Sequence, residues 1–154
     1  MGRLSRETTE ALQRGIGLCR RDDWDAGLKF LGRLAESDER AALPGLFYSY
    51  LGYGIARCEG RTAEGLKLCN HAIKVEFYQP DNYLNLARTC LLTKDRSGAV
   101  DAIRRGLAVD RNHVELKALA RELGVRRPPV LTFLSRDNPL NYFLGWLRHR
   151  LSRS

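Results

Sequence analysis

The chain has 154 residues, enough for one domain with a real core, and its 44% hydrophobic and 29% charged fractions are those of an ordinary soluble globular protein. Its formal net charge is +8, and no run approaches the roughly 18 apolar residues that a membrane-spanning helix needs. The opening residues lack an apolar signal core, and Arg6 stands where a myristoylation motif needs Ser or Thr.

Helical periodicity organises the chain from residue 5 onward. Residues 5–21 predict a first helix with Leu12, Gly15, Ile16 and Cys19 on one face. Asp23 is placed to accept a bond from an unpaired backbone N–H and so to cap a second helix from Trp24 to about Glu36, with Gly27, Leu28, Leu31 and Leu34 inward. After a loop over 37–42, Pro44 suits the first turn of a third helix, where its missing N–H costs nothing. That helix runs to about Cys58. Thr62 caps a fourth, to about Val75, with Leu66, Cys69, Ala72 and Ile73 inward. Pro80 opens a fifth, in which Tyr83, Leu86, Ala87, Cys90 and Leu91 share a face, and a sixth carries Ala99, Ile103, Gly106 and Leu107. Asn112, three residues before Glu115, predicts the cap of a seventh helix that stops at Gly124.

A small-plus-aliphatic pair opens the second helix of each couple: Gly27-Leu28, Gly65-Leu66 and Ala99-Val100. The last two pairs are 34 residues apart and the first two 38, the difference falling in the loop over 37–43. Trp24 is the aromatic just before the first of these pairs, and Gly15 and Ala87 are small residues in the preceding helices. The second unit departs, with Thr62 for the aromatic and Gly52 one place out of register, and the third ends on Arg111 where a proline is usual. On these residues the chain resembles a tetratricopeptide repeat protein, with three divergent repeats over residues 8–111 and the seventh helix as a cap. The implied fold is all-α, a short α-solenoid of antiparallel helix pairs over residues 5–124, followed by a basic extension over 125–154. A single helix pair cannot bury its apolar face, so neighbours complete it.

The resemblance implies a concave groove lined by the first helix of each pair. Transferred onto this chain, that groove shows Thr9, Leu12 and Ile16, then Phe47, Tyr50 and Arg57, then Leu84, Asn85, Arg88 and Leu92. It implies a peptide or helix as ligand. Some relatives grip a C-terminal carboxylate with a Lys/Asn/Arg clamp; here only Asn85 and Arg88 could serve, and an apolar, aromatic groove suits a hydrophobic segment better.

The extension holds Arg126, Arg127, Arg136, Arg148, Arg150 and Arg153 against Asp137, so six positive charges less one negative supply +5 of the +8. Pro128 and Pro129 keep its start extended. Asp137, Asn138 and Pro139 start an amphipathic helix over 139–151, with Leu140, Phe143, Leu144, Leu147 and Leu151 in one stripe and Tyr142 and Trp146 beside it. So short a helix is marginal alone in water and is expected to be ordered only when docked. Its dock is the repeat stack of its own or a neighbouring copy, another protein or an anionic membrane surface, or nucleic acid through the arginines.

Catalytic chemistry is not evident. The Gly15/Gly17 and Gly52/Gly54 pairs lie inside helical patterns with no preceding strand, so no phosphate loop is expected. His71, His113 and His149 lack a nucleophile, and Asp22, Asp23, Asp38 and Glu39 fall at helix ends as caps. Cys69 and His71, two apart on one helix, face different ways, which leaves no metal site. Cys19, Cys58, Cys69 and Cys90 are expected as buried free thiols in a cytoplasmic protein. The sequence therefore predicts a non-enzymatic, cofactor-free adaptor or scaffold with a protein partner, and self-association through the C-terminal segment is one form of that. The alternative is a nucleic-acid or ribonucleoprotein accessory protein acting through the arginine-rich tail.

Overall fold

The structure, a computed structural model, describes residues 4–125, and the predicted extension with its helix over 139–151 lies outside them. Seven α-helices and no strand occur among the described residues: α1 (Arg6–Arg20), α2 (Trp24–Ala35), α3 (Gly45–Glu59), α4 (Thr62–Val75), α5 (Pro80–Leu92), α6 (Arg96–Val109) and α7 (Val114–Glu122). None is long and apolar enough to cross a membrane.

Short turns fold α1 on α2, α3 on α4 and α5 on α6, and these three couples share the largest contacts. The odd helices then stack side by side, α1 on α3 and α3 on α5, and α7 closes the far end against α6. This is the solenoid arrangement that the sequence predicts. α3 and α5 pay no regard to a single apolar face because neighbours surround them. Phe47, Ser49, Tyr50, Gly52, Gly54, Ile55 and Ala56 are all buried on α3.

The turns inside the couples show why the first and third repeats are alike and the second is not. α1 and α2 are joined by three residues, the second of which, Asp22, is left-handed at φ 66°. Asp23 then caps α2 by accepting from the Ala26 N–H at 3.2 Å. The same device recurs at Lys94, φ 60°, with Asp95 accepting from the Gly98 N–H at 2.8 Å. The second couple instead has two residues, Gly60 at φ 70° and Arg61, and no side-chain cap. Thr62 is thus the first residue of α4 and not its cap. α3 runs further past its small residue before turning, and that is why Gly52 is displaced by one in sequence yet meets Gly65 in space. A left-handed Lys is strained and a cap bond is lost on truncation. Lys94→Gly is therefore expected to raise stability by about 0.5 kcal/mol and Asp95→Ala to lower it by about 1 kcal/mol, read from urea midpoints.

Other local expectations shift slightly. Pro44 is the residue before α3, extended at ψ 165°, and not inside its first turn. The loop after α2 contains a 3₁₀ turn over Arg40–Ala42, held to α3 by the Tyr48 hydroxyl donating to the Arg40 carbonyl at 2.9 Å. The cap of α7 is His113, whose Nδ1 accepts from the Leu116 N–H at 3.2 Å, while Asn112 accepts from Lys117. Gly124, left-handed at φ 62°, ends that helix as expected.

The core is apolar near α1 and α2 and unusually polar near α5. Leu12, Ile16, Trp24, Leu31, Leu34, Phe47 and Tyr50 form one cluster. Between α3, α4 and α5, Ser49, Asn82, Asn85 and Thr89 are fully buried. Asn82 donates to the Ala72 and Glu76 carbonyls at 3.3 and 2.9 Å, satisfying the end of α4. Asn85 donates to the Ser49 hydroxyl at 3.2 Å, and Thr89 donates back to the Asn85 carbonyl at 2.8 Å.

Candidate functional site

The inner face formed by α1, α3 and α5 opens into a pocket of about 460 Å³. It is lined by Cys19, Arg20, Asp22, Trp24, Tyr50, Tyr53, Arg57, Asp81, Leu84, Arg88, His113 and Glu115. Each odd helix contributes side chains one turn apart: Tyr50, Tyr53 and Arg57 on α3, and Asp81, Leu84 and Arg88 on α5. The end of α1 and the cap of α7 close the two sides.

Arginines lie over aromatic rings throughout this surface. The Arg57 guanidinium is 5.6 Å from the Trp24 ring, Arg20 is 5.8 Å from Tyr50, and Arg88 is 5.7 Å from Tyr53. Trp24 stands edge-on to Tyr53 at 4.9 Å, which fixes both rings. A guanidinium over an aromatic face is held electrostatically and loses little freedom on meeting a ligand.

Ion pairs tie the helices together across the same face. Arg57 holds Asp22 with two contacts of 2.8 and 3.4 Å, and the Trp24 Nε1–H donates to the same carboxylate at 2.9 Å. Those bonds, Arg57 first and Trp24 second, keep the Asp22 carboxyl below its ordinary pKa. Arg20 reaches from the first repeat to Asp81 of the third at 2.6 Å and donates through Nε to the Tyr50 hydroxyl of the second at 3.0 Å. That Tyr50 bond, with Asp81 behind it, holds Arg20 charged, and burial pushes the Tyr50 hydroxyl up. His113 Nε2 lies 3.3 Å from the other Asp81 oxygen. Because His113 Nδ1 accepts from Leu116, the neutral ring carries its proton on Nε2 and donates it to Asp81. The Asp81 carboxylate thus links α5 directly to α1 and to the cap of α7, and Arg20 carries the link on to Tyr50 of α3.

The sequence-predicted groove residues divide. Tyr50, Arg57, Leu84 and Arg88 line the pocket. Leu12, Ile16, Phe47 and Asn85 are brought into the packed interior, with Phe47 1% and Asn85 0% exposed. Leu92 is exposed and Thr9 half-buried, and neither reaches the pocket. The groove is also more charged than expected, for Arg20, Asp22, Asp81, His113 and Glu115 were missed. A one-turn shift along α1 and α5 would have found two of the five: Arg20 is four residues beyond Ile16, and Asp81 is four before Asn85. What hid them is their position at helix ends, where charges are ordinarily read as caps. The residues Leu140, Phe143, Leu144, Trp146 and Leu147 and the basic Arg126, Arg127, Arg136, Arg148 and Arg150 lie outside the described residues.

Of the four cysteines, all unpaired, Cys19, Cys69 and Cys90 are buried and Cys58 is exposed, against the expectation that all four are interior. Burial pushes the Cys19 and Cys69 thiols up to about 11 and about 12, so both are protonated and inert near neutral pH. Among the described residues no group of three His, Cys, Asp or Glu side chains converges as a metal site.

No protein-family model and no curated protein matches the sequence. Solved structures do match the fold. The first tetratricopeptide-repeat domain of Spaghetti (RPAP3), bound to the HSP90 peptide SRMEEVD, superposes with a TM-score of 0.61 at 13% identity, over 79% of this chain and 93% of that one. The yeast Sti1 TPR2B domain in its complex with pHsp70 gives 0.58 at 22% identity, over 78% and 92%. PcrH in complex with the chaperone-binding region of PopB gives 0.57 at 18% identity, over 80% and 98%; PcrH is a Pseudomonas aeruginosa protein. Three turn-linked helix couples stacked through their odd helices, together with these superpositions, make the described chain a tetratricopeptide-repeat fold.

Proposed function

We propose that the protein is a non-enzymatic adaptor that takes a segment of a partner protein into the pocket between α1, α3, α5 and α7. The observation that carries this reading is the pocket itself. Three successive repeats each send polar and aromatic side chains into one cavity large enough for several side chains, and the rings and guanidinium groups in it are already held in place. Preorganised aromatic and arginine side chains are what protein recognition uses most. Similar structures support it, since the RPAP3 domain holds an HSP90 peptide and PcrH holds a region of PopB. The cytoplasm is the proposed location, where free thiols persist.

The finer reading is that the amphipathic segment 139–151 is itself a groove ligand, from its own chain or from a second copy. The second function in play is nucleic-acid or ribonucleoprotein binding by the arginine-rich residues 125–154, favoured by their +5 share of the net charge.

Affinity capture from the native cell, with and without nuclease, separates these. It is run on the full chain, on Arg57→Glu and on a chain ending at residue 124. An adaptor retains a protein through nuclease and moderate salt and loses it with Arg57→Glu. If capture survives Arg57→Glu but disappears with nuclease or with residues 125–154, the tail-based reading replaces the groove. Release of a dimer to monomer by the truncation identifies the segment as a ligand in trans.

A further inference from the structure

Six large apolar side chains stand exposed among the described residues, and five of them border two loops. Val75, Phe77 and Tyr78 lie at the turn from α4 to α5, and Val109 and Val114 at the turn from α6 to α7. Val75 and Val109 are 34 residues apart, so the feature recurs with the repeat. The two loops are neighbours in space, because His113 in the second reaches Asp81 at the start of α5, directly after the first. The corresponding loop between α2 and α3 is longer, buries Leu43 and leaves no large apolar side chain exposed.

Phe77 and Tyr78 are 68% and 58% exposed, yet the backbone that carries them is fixed. Asn82 donates to the Glu76 carbonyl at 2.9 Å, and the Tyr83 hydroxyl donates to the Phe77 carbonyl at 2.8 Å. The two rings pack edge to face with centroids 5.7 Å apart. A partner that covers them therefore finds them already ordered. The five side chains leave on the order of 500 Å² of apolar surface in water, toward the upper end of what a monomer ordinarily carries. With a polar rim around it, such a patch is the core of an interface of about 800 Å² on each partner.

The charges beside the patch select the partner. Lys74, Arg111 and Lys117 stand against Glu76, Asp110 and Glu115, three of each sign, in a chain whose net charge is +8. An edge with no net charge does not attract an anionic membrane or a nucleic acid, nor the arginine-rich residues 126–154. It does let a strongly basic chain meet its own copy without repulsion at the contact. A two-fold axis sets the same surface against itself, and mixed signs on that surface can then pair plus against minus. We propose that this edge is a self-association surface, on which Phe77 and Tyr78 of one copy pack against the same two loops of a second in a two-fold dimer. The proposal is independent of the adaptor reading.

The test is sedimentation velocity of the purified full chain up to about 100 μM, joined to photo-crosslinking from Tyr78→p-benzoylphenylalanine in mixed ¹⁴N and ¹⁵N protein. The expected species has twice the 17.5 kDa chain mass. The double variant Phe77→Ser, Tyr78→Ser raises its dissociation constant about thirtyfold or more and keeps the helical circular dichroism of the wild type. Leu92→Ser, at the exposed apolar residue that lies away from the patch, leaves the constant unchanged. The crosslink joins peptides of different isotope and maps to residues 74–79 or 109–117 of the second copy. The proposal is overturned by a monomer at every concentration, or by a dimer that the double variant retains, which then belongs to another surface. A crosslink to residues 126–154 overturns it in favour of the tail. Binding to phosphatidylglycerol vesicles that needs Phe77 and Tyr78, with no dimer, overturns it in favour of a membrane. The wild-type mass and the crosslink report directly, so a poorly folding variant does not decide the matter.

Discussion

Gly65→Ala is expected to destabilise the protein by about 3 kcal/mol, a shift on the order of 10 °C in melting temperature for a domain of this size. α3 and α4 cross backbone to backbone. A Cβ on Gly65 stands 2.5 Å from the Gly52 carbonyl oxygen and 2.7 Å from the Ala56 Cβ, and one on Gly52 stands 2.8 Å from the Gly65 carbonyl. Neither obstacle is the end of a flexible side chain, so relief requires the two helices to part, and α3 carries most of the core with it. Gly32→Ala in α2 is the matched opposite. Nothing lies within 4 Å of a Cβ there, and the gain in helix propensity is expected to stabilise by about 0.5–1 kcal/mol. Thermal or urea unfolding of the pair decides the point: a Gly65→Ala protein within about 1 kcal/mol of wild type means that the helices are not in backbone contact.

Phe47→Ala is expected to cost about 3–5 kcal/mol, the usual range for emptying a buried phenylalanine site. Phe47 is 1% exposed and sits in the apolar cluster with its ring 5.0 Å from that of Tyr48. The loss should appear in stability and not in ligand affinity measured well below the melting point. Arg57→Ala, at the exposed rim of the pocket, is expected to do the reverse: a stability change within about 0.5 kcal/mol and a clear loss of partner binding. Chemical unfolding beside a binding isotherm on the two variants tests both halves. A Phe47→Ala protein of normal stability and impaired binding would return Phe47 to the groove.

These two residues mark where sequence reasoning worked and where it stopped. The spacing of Gly27, Gly65 and Ala99 led directly to three helix couples, because a close crossing needs a small residue at a fixed place in each. Asp23 as a cap and Gly124 as a stop were legible for the same local reason. Phe47 and Asn85 were not separable from true groove residues, because the odd helices of a stack are buried on more than one side. A stripe of apolar residues then says that a position is covered without saying by what. Asn85 misled further, since a polar residue on a helix reads as exposed unless its partner is known. That partner, Ser49, is 36 positions away.

The displaced Gly52 looked like a defect in the repeat. It is the consequence of α3 running two residues further past its small residue, against a turn at Gly60 and Arg61 that is one residue shorter, and the glycine still reaches its crossing. Likewise Arg20, Asp22, Asp81 and His113 looked like end charges. Arg20 and Asp81 are 61 residues apart, and only stacking of the first and third repeats brings them to 2.6 Å.

The sequence by itself determined the helices, their couples and the 34-residue period, since propensity, capping and close crossing act over short separations. Only the tertiary structure decided which side chains face the pocket and which charges in it pair with one another. Those depend on the register between repeats, where contacts link residues tens of positions apart and the local pattern carries no record of them.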